Sequence, residues 1–367
     1  MYTALGLMSG TSFDGIDAAV IRTDGEKVEL TDFHTMIPYT DAFREKLRSV
    51  MGGKNPKTPE IEKAQTELHA EAVKQLLEQH NLKPEDIDVI GFHGQTIYHN
   101  PAEGKTWQIG DGALLASLTG IDVVNDFRTN DVKNGGQGAP LVPLFHAALV
   151  HGLKKPVALL NIGGIGNITY IGDGKDEVIG FDTGPGNALI DDWMFKRAGK
   201  KYDEDGKASL AGKVQEGLIT HMLQDAYFGK VPPKSLDRDN FRKRLDETRI
   251  KELTLEDGAA TLSALTARAV KAGMRFLPKE PLEWYVTGGG RHNQRIMKEL
   301  KSLFTGKMLP VEAIKLNGDV MEAQAFAFLA VRSLKHMPLS LPTTTGVAKP
   351  ITGGVFHAAS SGKSKRA

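Results

Sequence analysis

The chain has 367 residues, with 46 Lys+Arg against 45 Asp+Glu, a net charge of +1, 25% charged and 40% apolar side chains, and no cysteine. The even charge balance argues against nucleic-acid and membrane-surface partners, and the lack of thiols excludes disulfides, thiolate metal sites and a cysteine nucleophile. No apolar run reaches the roughly 20 residues needed to cross a bilayer, and the N-terminus lacks a secretory pattern, so a cytoplasmic protein of two domains, or one large one, is expected.

The first predicted element is strand, tight polar loop, strand. An apolar run from Tyr2 to Met8 enters Ser9-Gly10-Thr11-Ser12-Phe13-Asp14-Gly15, and an alternating run from Ile16 to Ile21 leaves it. Gly10 and Gly15 let backbone come close to a ligand. Hydroxyls of Ser9, Thr11 and Ser12 and successive N–H groups suit an anion. Asp14 and Asp17 add carboxylates suited to a metal ion or to a water riding on a phosphate. No Gly-Lys-Ser/Thr follows, so this is not a P-loop. A second strand follows instead of a helix, so it is not a dinucleotide fingerprint. A phosphate hairpin of the kind used by actin-like ATPases and sugar kinases is expected.

Further along, Thr58-Pro59-Glu60 predicts a helix start, and Ile61, Ala64, Leu68, Ala72 and Leu76 keep helical spacing until Asn81 to Pro84. Ile87 to Phe92 predicts a strand ending in His93-Gly94-Gln95-Thr96, and Ile121 to Val124 one ending in Asn125-Asp126-Phe127-Arg128. Polar residues past such strand ends are where open α/β sheets bind ligands. Val157 to Ile162 predicts a strand entering Gly163-Gly164-Ile165-Gly166-Asn167, with Ile168 to Ile171 leading out, the architecture of the first hairpin without its letters. Val178 to Phe181 is a further strand, ending at Asp182-Thr183-Gly184-Pro185-Gly186-Asn187, before a helix from Ala188 to Ala198. Helices are predicted over Val214 to Phe228 and Thr261 to Leu277, with a polar stretch between that includes Asp237-Arg238-Asp239. A strand over Glu283 to Val286 precedes Thr287-Gly288-Gly289-Gly290 and another helix, and Val320 to Leu334 predicts a mostly apolar helix carrying Glu322. The Ser360 to Ala367 tail is polar enough to stay disordered. Strands alternating with helices, and two glycine hairpins half a chain apart, predict an α/β protein of two related lobes around a cleft. The expected lobes are 1–130 with about 336–367, and 131–335.

Among single residues, Asp182 is the leading candidate for a general base, on a strand end followed by Gly-Pro-Gly. An aspartic-protease reading fails because no second Asp-Thr/Ser-Gly is present; turn capping and metal binding stay open. The Gly288–Gly290 turn suits an anion or the flat face of a nucleotide. His93, Arg128 and Gln137 have the variety needed to grip a hydroxylated substrate with a carboxylate, Arg128 being its natural partner. Glu322 is either a paired buried acid or a substrate contact. Trp107, Trp193 and Trp284 are expected in the core.

Taken in order, these segments resemble one family. Gly6-Leu7-Met8-Ser9-Gly10-Thr11-Ser12-Phe13-Asp14-Gly15-Ile16-Asp17, Gly91-Phe92-His93-Gly94-Gln95-Thr96, Gln108-Ile109-Gly110-Asp111, Asn125-Asp126-Phe127-Arg128 and Gly135 to Pro143 resemble segments of the anhydro-N-acetylmuramic acid kinases. So do Leu160 to Asn167, Gly180 to Asn187, Pro232-Pro233-Lys234-Ser235 and Met321-Glu322. The resemblance implies an actin-like (ribonuclease H-like) two-lobe kinase fold with an interlobe cleft, using ATP and Mg2+ on a cell-wall sugar. It implies Asp182 as catalytic base, and ATP binding by Gly10, Thr11, Ser12, Phe13, Asp14, Gly15, Ile16, Asp17, Gly163, Gly164, Gly288, Gly289 and Gly290. His93, Gln95, Thr96, Arg128, Gln137 and Glu322 are the implied sugar-side residues, and a homodimer the implied assembly. The substrate has an internal 1,6-anhydro bridge and no free 6-hydroxyl, so the resemblance implies ring opening by water coupled to phosphorylation. Two alternatives stand beside it: an actin-like kinase of an ordinary open sugar, and an ATP-driven chaperone or filament protein. The second is disfavoured because little chain follows the adenosine-side turn.

Overall fold

The structure, a computed structural model, describes residues 1–10, 12–174, 177–236 and 241–359. Thr11, the Asp237-Arg238-Asp239 run and the Ser360–Ala367 tail lie outside the described residues. The described residues pack as two compact units, one drawn from residues 1–149 and 320–367 and the other from residues 150–319. Residues 131–149 and 320–335 therefore go with the first unit, not the second.

The described strands, in chain order, are β1 (Tyr2–Ser9), β2 (Gly15–Thr23), β3 (Val28–Pro38), β4 (Val89–Asn100), β5 (Lys105–Ile109), β6 (Val123–Asn125), β7 (Val157–Ile162), β8 (Ile165–Ile171), β9 (Val178–Pro185), β10 (Glu283–Thr287), β11 (Lys307–Pro310) and β12 (Val355–His357). They form two sheets. In the first the order is β12-β6-β4-β1-β2-β3, with β5 hydrogen-bonded to β4. In the second it is β11-β10-β7-β8-β9. Each sheet is built alike: three consecutive antiparallel strands, then two strands added parallel beside the first. Long crossovers supply the parallel strands, and helices cover the faces, as parallel pairing demands.

In the first unit alternate residues of β1 serve opposite faces. Leu5 and Leu7 pack with Ile61, Ala72, Val73 and Leu76 of the helix Thr58–Gln79. Ala4 packs with Phe326, Phe328 and Leu329 of the helix Met321–Leu334. That second helix rests on bare backbone. A Cβ at Gly6 would lie 1.7 Å from the Ala323 carbonyl oxygen, and one at Gly91 would lie 2.0 Å from that of Phe326. In the second unit the helices Ala188–Ala198, Leu255–Gly273 and Gln294–Leu303 share a core with β7, β8 and β10, centred on buried Phe181, Trp193, Leu265 and Trp284.

The predicted helix start at Thr58 and the Ala188–Ala198 helix are both present. Several boundaries differ. The helix predicted from Thr261 begins at Leu255, because Thr254 accepts the Asp257 N–H and caps it. The helix predicted over Val214 to Phe228 is Glu216–Leu223, followed by a separate turn capped by Asp225. Trp193 and Trp284 are core residues, but Trp107 is 40% exposed. No described helix is long and apolar enough to cross a membrane.

The glycine contacts predict a contrast in stability. Gly91→Ala forces helix and sheet apart and is expected to cost at least about 2 kcal/mol. Gly217, in the Glu216–Leu223 helix, has nothing within 4 Å of an added Cβ. Gly217→Ala is expected to stabilise by about 0.5 kcal/mol, through a less flexible unfolded chain. Urea unfolding midpoints of the two variants measure both effects.

Candidate active site

The β1–β2 turn is held from behind. Phe13 donates its N–H to the Gly10 carbonyl at 3.2 Å and adopts a left-handed φ of 58°. The Asp14 carbonyl accepts the Tyr39 N–H at 3.0 Å. The Arg44 guanidinium donates to the Phe13 carbonyl at 3.0 Å and to that of Asp14 at 3.4 Å, and Gln95 Nε2 donates to the Gly10 carbonyl at 3.2 Å. A turn whose carbonyls are drawn onto protein donors suits an anion on its other side. Ser12 and Asp14 are exposed and Asp17 is half-buried. Phe13 and Ile16 are core side chains, so only their backbone is available to a nucleotide. Gly15 is bare for packing: a Cβ there would lie 2.2 Å from the Ile37 carbonyl of β3. A Cβ at Gly10, by contrast, would make only ordinary contact, with Ser12 Oγ nearest at 3.5 Å.

Under the turn lies a buried polar layer. Gln65 Nε2 donates to Ser9 Oγ at 3.1 Å, and Ser9 Oγ donates to the Gly94 carbonyl at 3.1 Å. His69 Nδ1 bonds the Gln65 carbonyl at 2.8 Å. Burial holds the His69 imidazole down to about 4 and pushes the Tyr39 phenol up to about 12. This layer ties the Thr58–Gln79 helix to β1 and β4.

The sugar-side candidates sit differently from expectation. β4 does not end at Phe92. It bulges between its pairings with β1 and runs on to Asn100 beside β5, so His93, Gln95 and Thr96 lie within it. Gln95 is fully buried and holds the hairpin. Thr96 is half-buried and accepts from Gln108 at 3.2 Å. His93 is buried against the Phe326 ring, 4.4 Å between centroids. Its Nδ1 bonds the Gly94 carbonyl at 2.8 Å, and its Nε2 accepts Arg128 Nε–H at 3.0 Å. These two contacts assign one tautomer, protonated on Nδ1. Burial and then the Arg128 charge hold this imidazole well below its ordinary value, so it is neutral. Arg128 also donates to the Gly138 carbonyl at 2.6 Å, which brings the Gln137 loop to the same end of the sheet. Glu322 is exposed in the first turn of its helix, which removes the buried-acid alternative.

In the second unit, three glycine segments converge. The Gly163 and Gly164 carbonyls accept the N–H groups of Asn187 and Gly186, at 2.7 and 3.0 Å. Asn187 Nδ2 donates to the Ile162 carbonyl at 3.0 Å. Gly288, with φ 74°, lies so close that a Cβ would be 2.3 Å from Asn161 Oδ1, and one at Gly290 would be 2.3 Å from Ile162 Cγ2. Nearest an added Gly289 Cβ is Asn187 Nδ2, at 3.5 Å. Arg291 fixes this turn, donating to the Gly288 carbonyl at 3.0 Å while pairing with Glu312 and Asp319.

Asp182 is within β9, which runs on to Pro185, and it pairs with Asn167 of β8. The side chain is half-buried. Leu236 N–H donates to its Oδ2 at 2.8 Å, its own N–H bonds the Lys234 carbonyl at 3.0 Å, and Tyr227 Oη–H bonds its carbonyl. Lys234 gives its ammonium to the Tyr227 carbonyl at 3.1 Å. A carboxylate oriented by a backbone N–H and reachable by solvent can accept a proton from water.

Two mixed sheets of one strand order, each with a glycine-rich turn between its first two strands, define an actin-like α/β fold. The model of the anhydro-N-acetylmuramic acid kinase family matches residues 2–359. A protein of that name from Paramagnetospirillum magneticum is 51% identical over 354 residues, covering 96% of this chain and 99% of its own length. Another, from Rhizorhabdus wittichii, is 48% identical over 362 residues, covering 96% and 98%. Component A of the (R)-2-hydroxyglutaryl-CoA dehydratase of Acidaminococcus fermentans superposes with a TM-score of 0.48 at 12% identity, covering 91% of this chain and 100% of that one. The chain belongs to the anhydro-N-acetylmuramic acid kinase family and is a phosphotransferase.

Gln65, Arg44 and Tyr227 escaped the sequence reading. Each reaches its partner across tens of residues, and no local spacing marks them. Lys234 had one signal, its place in Pro232-Pro233-Lys234-Ser235.

The buried histidines predict an acid sensitivity. The unfolded His69 takes its proton near its ordinary 6.5, and the folded one only near 4. Between those values the unfolded state binds more protons, so stability falls as pH drops through that window. The full effect is on the order of 3 kcal/mol. His69→Phe cannot protonate, so its melting temperature is expected to fall less than the wild type's between about pH 7 and pH 4.5. Equal falls, read by circular dichroism, would rule out His69 as a source.

Proposed function

We propose that the enzyme opens the 1,6-anhydro bridge of 1,6-anhydro-N-acetylmuramic acid with water and phosphorylates the freed 6-oxygen. ATP is the donor, and the products are N-acetylmuramic acid 6-phosphate and ADP, in peptidoglycan recycling. The near full-length match to the family, with relatives about half identical, carries this reading.

Asp182 accepts a proton from a water whose oxygen attacks the anomeric carbon. The bond from that carbon to the bridging oxygen breaks. The freed oxygen attacks the γ-phosphorus, and the bond to the ADP oxygen breaks. The Leu236 N–H on Oδ2 supports this role, since it leaves the carboxylate aimed by backbone. General-base help of this kind is worth roughly 100- to 10,000-fold in rate.

In this reading Gly10, Thr11, Ser12, Asp14 and the backbone of Phe13, Gly15 and Ile16 bind the phosphates. Gly163, Gly164 and Gly288 to Gly290 form the second nucleotide surface. Arg128, aimed by His93, meets the substrate carboxylate, with Gln137, Thr96 and Glu322 as further sugar-side groups and Gln95 acting through the hairpin.

The donors beside the hairpin fit magnesium. Asp14 and Asp17 are hard oxygen ligands, and no described cluster of three or more His, Asp or Glu side chains forms a closed cage. Magnesium is usually held by one or two carboxylates together with substrate phosphates. Asp14 and Asp17 would hold it, and when bound it supplies positive charge against the phosphoryl oxygens. The reading places the enzyme in the cytoplasm, where ATP is available.

Two experiments test the proposal. Asp182→Asn is expected to abolish turnover while leaving ATP affinity nearly unchanged by calorimetry; a variant retaining a tenth of wild-type kcat would show that Asp182 is not the base. Turnover in 18O-labelled water should put the label on the anomeric carbon. Unlabelled product would point to direct phosphorylation of an existing hydroxyl. The homodimer carried by the resemblance predicts a light-scattering mass twice that of the chain, and a single-chain mass would reject it.

A further inference from the structure

Lys234 is 2% exposed, and its ammonium lies among aromatic rings. Its Nζ stands 4.5 Å from the Tyr227 ring centroid, 4.6 Å from that of Phe276 and 5.8 Å from that of Phe181. Ring faces attract a cation, but burying an ammonium still costs free energy that Met or Leu would not incur in the same cage. What the lysine adds is connection. Its ammonium donates to the Tyr227 carbonyl, the Tyr227 hydroxyl donates to the Asp182 carbonyl, and the Asp182 N–H donates to the Lys234 carbonyl. These three bonds close a ring. Two residues on, Leu236 N–H reaches the Asp182 carboxylate itself.

We propose that Lys234 is a positioning residue for Asp182: it locks the ring that aims the carboxylate, and sets a positive charge behind it. This rests on Asp182 serving as the base.

The charged groups around Lys234 are Asp182, which favours its protonated form, and Arg275 and Lys230, which oppose it. Arg275 is itself fixed, donating to the Phe228 carbonyl at 2.7 Å. Burial first, and these two cations next, bring the Lys234 ammonium down to about 8, so at neutral pH it keeps its proton. A nearby cation favours an ionised carboxylate. Removing it raises the pH at which Asp182 takes up a proton, and the acid limb of kcat should move upward.

Lys234→Met keeps the packing and deletes the charge and its bond. It is expected to lower kcat by roughly 10- to 100-fold, less than the roughly 100- to 10,000-fold that loss of the base itself would cost. The KM for ATP and for the anhydro-sugar should stay within about twofold, and the acid limb of kcat should shift to higher pH. A kcat loss without that shift, a parallel rise in KM, or kcat within twofold of wild type would each overturn the proposal. Should Lys234→Met fail to fold by circular dichroism, Tyr227→Phe cuts the same ring at one hydroxyl. It then decides: a lower kcat at unchanged KM supports the proposal, and an unchanged kcat overturns it. Asp182→Asn run in parallel separates the two levels. An active Asp182→Asn removes the base assignment, whereas a dead one beside a wild-type-like Lys234→Met removes only the role of Lys234.

Discussion

The contact of backbone on backbone between the Met321–Leu334 helix and strands β1 and β4 governs the first unit. Gly6 and Gly91 have no side chains because the Ala323 and Phe326 carbonyls occupy that space. Such an approach is available only to glycine, and it fixes the height and register of both strands against the helix. β1 ends in the polar turn and β4 carries His93 and Gln95. Hydrogen bonds from Ser9 to Gly94 and from Gln95 to Gly10 then join the two strand ends. The proposed nucleotide-side and sugar-side residues of this unit thus share one rigid frame.

The second unit repeats the strand order with different letters. Its glycines at 163, 164, 288 and 290 are held by backbone and side-chain contacts from Asn161, Ile162, Gly186 and Asn187. The likeness is therefore one of topology, carried by apolar alternation and turn glycines. Side-chain chemistry differs between the two units. One carries hydroxyls and carboxylates at its turn, and the other places its acid inside the third strand, at Asp182.

Local order made much of this readable in advance. Turn glycines, capping residues and apolar periodicity act within a few positions, so both hairpins, the Thr58 helix start and the Gly288–Gly290 turn could be placed from the chain alone. Strand ends were less readable. β4 and β9 run past His93 and Asp182 because β5 and β8 supply hydrogen-bonding partners, and a partner strand leaves no mark on the residues it meets. Burial of polar groups was hidden for the same reason: Gln65 and Gln95 look like surface residues by type, and their partners Ser9 and Gly10 lie far away in the chain. Trp107 shows the converse, a bulky apolar side chain left at the surface over Gly53. Asp182, His93, Arg128, Gln137 and Glu322 stand out by their places at strand exits, in loops and on an apolar helix, and the ordered resemblance over the whole chain adds their roles.

The neutral imidazole of His93 has a consequence for recognition. With Nδ1 spent on Gly94, the ring offers Arg128 a lone pair at a fixed angle, and the Gly138 carbonyl grips the same guanidinium from another direction. The arginine is thus preorganised, its rotamer entropy surrendered during folding and not at the encounter with substrate. A lysine could not inherit this arrangement, for a single ammonium lacks the planar fork that two separate acceptors can orient. On the sugar-side role proposed for Arg128, discrimination between an acidic sugar and its uncharged analogue would rest on a guanidinium that is already waiting in place.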